Sequence, residues 1–228
     1  MAMNRRYDRN MSALTPAENE RLRGFAVCVV GCGGLGGHVI ELLGRIGIGR
    51  ITAVDGDVFE ESNLNRQLLS DEGSLGKSKA RAAKRRMGAV NSEVEVTAVE
   101  EFVTAGNCEA ILSGHDLIID ALDSIEARRI IEGAAQKLRI PLVHGAIAGW
   151  LGQVSVIMPG SPAFGKLYQA DAGKGVEDEL GNLPFTASAV ASVQAAEAVK
   201  TLLGREGALA GKLLTMNLLS GEHEIFEI

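Results

Sequence analysis

The sequence is poor in cysteine and in aromatic residues. Only three cysteines occur in 228 residues, Cys28, Cys32 and Cys108, and none are spaced as Cys-x-x-Cys. An odd number of scattered cysteines argues against a disulfide framework and a zinc ribbon, because structural zinc needs four closely spaced Cys or His ligands. We therefore expect no zinc, and a reducing cytoplasmic compartment.

Long apolar runs and excess positive charge are also missing. No uninterrupted apolar segment approaches the roughly 20 residues of a membrane span, and the polar first 24 residues lack the apolar stretch of a signal peptide. The net charge of −6 argues against nucleic acid as the main partner. We expect neither a membrane nor a nucleic-acid partner.

The apolar residues that are present alternate between strand and helix patterns from residue 25 to residue 147. This alternation predicts an α/β fold, a doubly wound, Rossmann-like, mostly parallel sheet. The predicted strands are 25–30, 50–55, 93–99, 116–122 and 140–147. The predicted helices between them are 34–48, 76–90, 107–113 and 124–138.

A different pattern follows residue 148. A strand at 152–158 precedes a loop at 159–184, and a helix at 185–204 leads to a hairpin of strands 212–220 and 222–228. We expect this hairpin to add an antiparallel C-terminal extension to the sheet. With no interdomain linker in sight, we expect one domain over 1–228, with a nucleotide-binding core at 25–147 and the helix and hairpin at 185–228.

A glycine-rich loop joins the first predicted strand to the first long helix. Gly31 permits a tight turn, Gly33 and Gly34 let the backbone approach a phosphate, and Gly36 allows close packing of helix on sheet. Asp55 stands where a carboxylate can hold ribose hydroxyls. The loop predicts a nucleotide without saying which one, and a glycine turn that binds nothing remains the alternative.

A polar run follows Asp55, and a dinucleotide gives it no task. Arg66 offers a planar fork for phosphate oxygens, and Asn63, three residues before it, could reach the same ligand from one helical turn. Lys79 sits on the first turns of a basic helix, and only its position separates it from the other cations there. The alternatives are an exposed polar loop and a solvated helix face.

Asp123 and Ser124 follow the predicted strand 116–122. Ligands of open parallel sheets gather at the carboxyl ends of strands, so Asp123 is a candidate magnesium ligand beside a nucleotide phosphate. As the N-cap of the next helix it would look the same in sequence, and both interpretations stand.

Four segments together resemble the ThiF/MoeB/HesA family, bacterial relatives of ubiquitin-activating enzymes. They are "VVGCGGLGG", "VDGDVFEESNLNRQ", "GKSKA" and "DALDS", in this order. "RRYDRN" and "ASVQAAEAVKTLLG" resemble the family as well, so the likeness covers nearly the whole chain. The family binds ATP with Mg²⁺ and adenylates the C-terminal glycine carboxylate of a small ubiquitin-like sulfur carrier. The resemblance implies ATP, Mg²⁺, a carrier ending in Gly-Gly and a homodimer.

The resemblance also implies residue roles. Arg9 would reach into the site of a partner subunit, Asp123 would bind the metal, and Arg66 and Lys79 would contact phosphates. The nucleotide-binding residues would be Gly31, Gly33, Gly34, Gly36, Asp55, Asp57, Ser62, Asn63, Arg66, Gln67, Lys79, Asp123 and Ser124.

This sequence departs from the family in its cysteines. Many relatives carry two Cys-x-x-Cys pairs for zinc, and several keep a cysteine in the segment matching loop 159–184, which here has none. We expect adenylation alone, with sulfur supplied by another protein. A non-catalytic nucleotide-binding relative is the main alternative. An NAD-dependent oxidoreductase, the other one, would leave Arg66, Lys79 and Asp123 without a task.

Overall fold

A computed structural model describes residues 5–168 and 177–228, with the side chains of 177 and 178 left aside. Within these ranges the strands form one eight-stranded sheet in the order β3-β2-β1-β4-β5-β6-β7-β8. The strands are β1 (Ala26–Val30), β2 (Arg50–Val54), β3 (Glu95–Val99), β4 (Leu117–Asp120), β5 (Leu142–Ala148), β6 (Leu151–Ile157), β7 (Lys212–Asn217) and β8 (Glu222–Glu227).

Eight α-helices lie within the same described ranges. They are α1 (Pro16–Leu22), α2 (Gly34–Ile46), α3 (Lys79–Val90), α4 (Cys108–Leu112), α5 (Ile125–Leu138), α6 (Phe164–Leu167), α7 (Glu177–Leu180) and α8 (Pro184–Leu203). None of the helices that the structure describes is long and apolar enough to cross a membrane.

Strands β1 to β5 pair in parallel, which confirms the predicted α/β fold. Alternate residues of β1 enter different hydrophobic layers. Val27 and Val29 join the layer beneath α2, α3 and α8, whereas Cys28 and Val30 join the layer beneath α4 and α5. Because both faces of β1 are covered, all of its residues are buried.

Strands β5 to β8 pair antiparallel, and β7 and β8 form the predicted closing hairpin. The N-terminal segment contains the short helix α1. The Thr15 side chain accepts a hydrogen bond from the Glu18 N–H, and the Glu18 carboxylate accepts one from the Thr15 N–H, which closes a capping box.

Several predicted boundaries were too wide. Strand β4 ends at Asp120, because the Asp120 carboxylate accepts the Leu122 N–H (3.1 Å) and takes the chain out of the sheet. Helix α3 begins at Lys79, since the Ser78 hydroxyl caps it. The described parts of loop 159–184 contain α6 and α7, and its residues 169–176 lie outside the described ranges.

The strand order reverses between β1 and β4. Strand β1 has β2 on one side and β4 on the other, so the loops that leave β1 and β4 run to opposite faces of the sheet. In open α/β sheets the ligand crevice forms at such a switch point, outside the carboxyl ends of the strands. The fold therefore directs the search to the segments that follow β1, β2 and β4.

Candidate nucleotide site

A cavity of about 390 Å³ lies at this switch point, within the size range of small-molecule sites. It brings together most of the residues predicted from sequence. Those that line it are Gly31, Gly33, Gly34, Asp55, Asp57, Arg66, Gln67, Lys79, Asp123 and Ser124.

The glycine loop forms one wall, and its backbone leaves no room for side chains. Gly31 has a φ of +95°, and a Cβ there would lie 2.5 Å from the Ala121 carbonyl oxygen. A Cβ on Gly36 would lie 1.8 Å from the Gly31 carbonyl oxygen. Helix α2 begins at this wall, and no side chain caps its first turn. Its first amides are thus available to an anion.

Asp55 follows β2 and is held from two sides. Its carboxylate accepts hydrogen bonds from the Cys32 N–H (2.7 Å) and the Asp57 N–H (2.9 Å). Burial raises the pKa of the Asp55 carboxyl, although both hydrogen bonds and the nearby Lys79 charge oppose the shift. These contacts fix the carboxylate at the edge of the glycine loop.

Lys79 differs from the other cations of its helix. Its residue is 7% exposed and its Nζ lies 2.6 Å from Asp57 Oδ2, whereas Lys84 and Arg85 are exposed. Burial alone would raise the pKa of Asp57, but hydrogen bonds from Lys79 and from the Val58 N–H lower it. The pair places a fixed cation in the cavity wall, and the interpretation of α3 as a wholly solvated face is wrong at Lys79.

The polar run after Asp57 divides into lining and supporting residues. Arg66 lines the cavity, and its guanidinium donates to the Ser62 carbonyl (3.0 Å) and to Asn65 Oδ1 (2.9 Å). Gln67 is buried against Gly33, and its Oε1 has no hydrogen-bond partner in the part of the chain that the structure describes.

Asn63 and Ser62 do not line the cavity, contrary to the expectation that one helical turn would aim Asn63 and Arg66 at one ligand. Asn63 is buried and its Oδ1 accepts the Glu60 N–H (3.1 Å), which closes the turn Glu61–Asn63. Its carbonyl oxygen accepts the Arg66 N–H (3.2 Å). Asn63 therefore supports the segment that carries Arg66.

Asp123 and Ser124 have separate tasks. The Ser124 hydroxyl accepts the Ala127 N–H (3.3 Å) and caps α5, so the interpretation of Asp123 as the cap is wrong. Asp123 is exposed at the cavity, and in residues 5–168 and 177–228 its carboxylate has no recorded hydrogen bond or ion pair. Mg²⁺ commonly takes one or two carboxylates together with substrate phosphates. A single free carboxylate at this place fits such an ion.

Within the described ranges, no group of three or more His, Cys, Asp or Glu side chains is placed so that it could hold a metal ion. The three cysteines are buried. Burial, with a smaller effect of the Glu109 charge, raises the pKa of Cys108 to about 11, and burial also raises the pKa values of Cys28 and Cys32. A thiol needs a lowered pKa and access to act as a nucleophile, and these have neither.

Sequence reasoning missed Arg128 in the wall of this cavity. It is 4% exposed, and it donates to the Leu122 carbonyl oxygen (2.6 Å) and to the Tyr168 hydroxyl (2.9 Å). Its place one turn after Ser124 was the available signal. Phe102 and Val103, which follow β3, complete the apolar side of the cavity.

Arg9 does not line this cavity of its own chain. It is exposed on the turn Arg5–Asn10, which Tyr7 anchors. The Tyr7 ring packs on Gly47, and its hydroxyl accepts from Asn91 Nδ2 (2.9 Å). Gly47 precedes β2, so this anchor lies at the amino edge of the sheet, opposite the cavity. The segment Arg5–Asn10 is therefore anchored on the folded domain.

The chain is similar to several known proteins. It is 36% identical over 217 residues to the SAMP-activating enzyme E1 of Haloferax volcanii, covering 92% of this chain and 79% of that one. It is 38% identical over 225 residues to the sulfur carrier protein adenylyltransferase of Thermus thermophilus, covering 94% and 83%.

Solved structures share the fold. PaaA superposes with a TM-score of 0.82 at 26% identity, over 98% of this chain and 72% of that one. MccB of E. coli, in complex with MccA-N7isoASN, superposes with a TM-score of 0.88 at 21% identity, over 99% and 72%.

Residues 7–228 match the ThiF family, from the anchored turn that holds Tyr7 to the end of the C-terminal hairpin. The glycine loop, Asp55, Lys79 and Asp123 all lie within this match. The chain therefore belongs to the ThiF family and is an enzyme of the adenylyltransferase type.

Proposed function

We propose that this enzyme uses ATP and Mg²⁺ to adenylate the C-terminal glycine carboxylate of a small ubiquitin-like sulfur-carrier protein that ends in Gly-Gly, with release of pyrophosphate. The observation that carries the proposal is the buried Lys79 cation, fixed by Asp57 in the cavity that the glycine loop lines. The similarity to a sulfur carrier protein adenylyltransferase supports the same substrate class.

The chemistry asks for cations and positioning and requires no general base. A terminal carboxylate has a pKa of roughly 3.5 and is already ionised at pH 7. Its attack on the α-phosphate requires that the negative charge of both reactants be neutralised and that attacking and leaving oxygens be held in line. Lys79 and Arg66 supply fixed positive charge in this cavity.

The remaining residues bind and orient the nucleotide. The amides at the start of α2 would hold phosphate oxygens, and Asp55 would hold the ribose hydroxyls. Gln67, whose Oε1 is buried and unpartnered in the described ranges, would contact the nucleotide near Gly33. Asp123 would hold Mg²⁺, which when bound would neutralise phosphate charge.

The location of Arg9 supports a role in a neighbouring subunit. Its own cavity lies at the other edge of the sheet, yet Tyr7 fixes the segment that carries it. We propose a homodimer in which each subunit lends Arg9 to the phosphates of the other. Because the three cysteines are buried, sulfur would come from another protein.

Two measurements test the proposal. Titration calorimetry should show binding of ATP with Mg²⁺ and much weaker binding of NAD⁺, and tight NAD⁺ binding without ATP binding would refute it. ATP–pyrophosphate exchange should then depend on a carrier ending in Gly-Gly, and the same carrier without its last glycine is the matched control. A protein that binds ATP but exchanges no pyrophosphate with any such carrier would be a non-catalytic relative.

A further inference from the structure

A buried network of ionisable side chains lies directly behind Asp123. Asp120 and His144 are 0% exposed and Arg128 is 4% exposed. Asp120 Oδ2 lies 2.7 Å from His144 Nδ1 and 3.7 Å from Arg128 Nε. Burying charged groups is costly unless they are paired and hydrogen-bonded. Contacts with the nucleotide do not explain why these charged residues are buried here.

The network holds both backbone polar groups of Leu122, the residue that precedes Asp123. Asp120 Oδ1 accepts the Leu122 N–H (3.1 Å), and the Arg128 guanidinium donates to the Leu122 carbonyl oxygen (2.6 Å). That carbonyl belongs to the peptide bond between Leu122 and Asp123. The exposed Asp123 carboxylate therefore follows a residue whose N–H and C=O groups are held by two buried side chains, Asp120 and Arg128.

Tyr168 closes the network into a ring. Its hydroxyl accepts from the Arg128 guanidinium (2.9 Å) and lies 3.0 Å from His144 Nε2, so it can donate to that nitrogen. Gln153 Nε2 lies 3.0 Å from the same hydroxyl. Because His144 Nδ1 donates to Asp120, its Nε2 is the acceptor, and the tyrosine hydroxyl links the histidine arm to the arginine arm.

We propose that Asp120, His144, Tyr168 and Arg128 are positioning residues that hold the Asp123 carboxylate in the orientation required for Mg²⁺. The inference rests on the proposed function through its assignment of Asp123 to the metal. Groups that orient a metal ligand from behind typically change metal affinity about 10- to 100-fold when they are lost. Here the network acts on Asp123 through the backbone of Leu122, so we expect the lower end of that range.

Tyr168→Phe tests the inference, since it removes the linking hydroxyl and keeps the ring. Thr52→Val is the matched control, because it also removes one hydroxyl, which bonds His115 Nε2 (2.7 Å), and neither residue lines the cavity. ATP binding is measured by calorimetry across a series of Mg²⁺ concentrations and without metal. Tyr168→Phe should raise the half-saturating Mg²⁺ concentration about 10-fold and leave metal-free ATP binding unchanged, while Thr52→Val should change neither.

A double mutant separates this positioning role from general damage. If the hydroxyl acts through Asp123, adding Tyr168→Phe to Asp123→Asn should change the Mg²⁺ dependence no further. An unaltered Mg²⁺ dependence in both Tyr168→Phe and His144→Gln, or a full additive effect in the double mutant, would overturn the inference while the proposed function stands. Wild-type Mg²⁺ dependence that Asp123→Asn does not alter would overturn the metal assignment and the inference with it.

Discussion

At Gly36, adding a single methyl group should disrupt the close packing between the glycine loop and α2. In Gly36→Ala the new Cβ would lie 1.8 Å from the Gly31 carbonyl oxygen and 2.8 Å from its carbonyl carbon. Both are backbone atoms, so no side chain can rotate away. Even to reach 3.0 Å, below which real Cβ atoms essentially never approach, α2 and the loop must separate by about 1.2 Å (3.0 minus 1.8) at this contact.

That displacement has a predictable effect on the free energy of unfolding. Overpacking a buried site costs roughly 1–3 kcal/mol, and alanine recovers about 0.5–1 kcal/mol of helix propensity over glycine. We expect a net loss of up to about 2.5 kcal/mol. The same shift moves the first amides of α2 away from the glycine loop, so ATP affinity should fall by more than the folded fraction does.

Gly88→Ala is the matched control. Gly88 lies on the exposed side of α3, and a Cβ there meets nothing within 4 Å, so this variant should gain about 0.5–1 kcal/mol and bind ATP normally. Urea denaturation and ATP calorimetry measure the two effects. If Gly36→Ala matches the wild type in both, the backbone contact between the loop and α2 is not what limits this position.

Three further outcomes are expected. Asp123→Ala should abolish Mg²⁺-dependent exchange at unchanged stability, whereas Ser124→Ala should lose about 1 kcal/mol of stability with the loss of the α5 cap; normal exchange in Asp123→Ala would remove that residue from the metal site. Arg9→Ala should reduce turnover sharply, since comparable arginines contribute about 10³–10⁵ in rate. Mixing this variant with Lys79→Ala should restore activity, because the mixed dimer rebuilds one complete site. If activity does not recover once subunit exchange is verified, Arg9 has no role across subunits. Burial lowers the pKa of His144 in the folded chain, although the Asp120 hydrogen bond opposes the shift. Below about pH 6.5 the unfolded chain therefore binds a proton at this histidine that the folded chain does not bind. The free energy of unfolding should therefore decrease as the pH falls, by at most about 1.4 kcal/mol per pH unit. His144→Gln should remove this dependence, as measured by urea denaturation between pH 7.5 and 5.5. Equal pH dependence in the two proteins would show that His144 does not titrate in this way.

The sequence by itself determined the features that arise from local pattern. Strand and helix periods indicated the doubly wound sheet, because period 2 and period 3.6 are properties of neighbouring residues. Gly31 and Gly36 were identified by spacing alone, since the turn between a strand and a phosphate-binding helix has a fixed length. Their steric roles then follow from a missing Cβ.

Tertiary structure decided which of several similar side chains reach the cavity. Lys79 stands among five other cations in residues 77–86, and its burial together with its contact with Asp57, 22 residues away, sets it apart. Ser124 rather than Asp123 became the cap, and Asn63 turned inward. Asp120 meets His144 across 24 residues, and Arg128 joins them from α5. No local period encodes such meetings, because they depend on how β4, β5 and α5 pack, and that packing exists only in the folded chain.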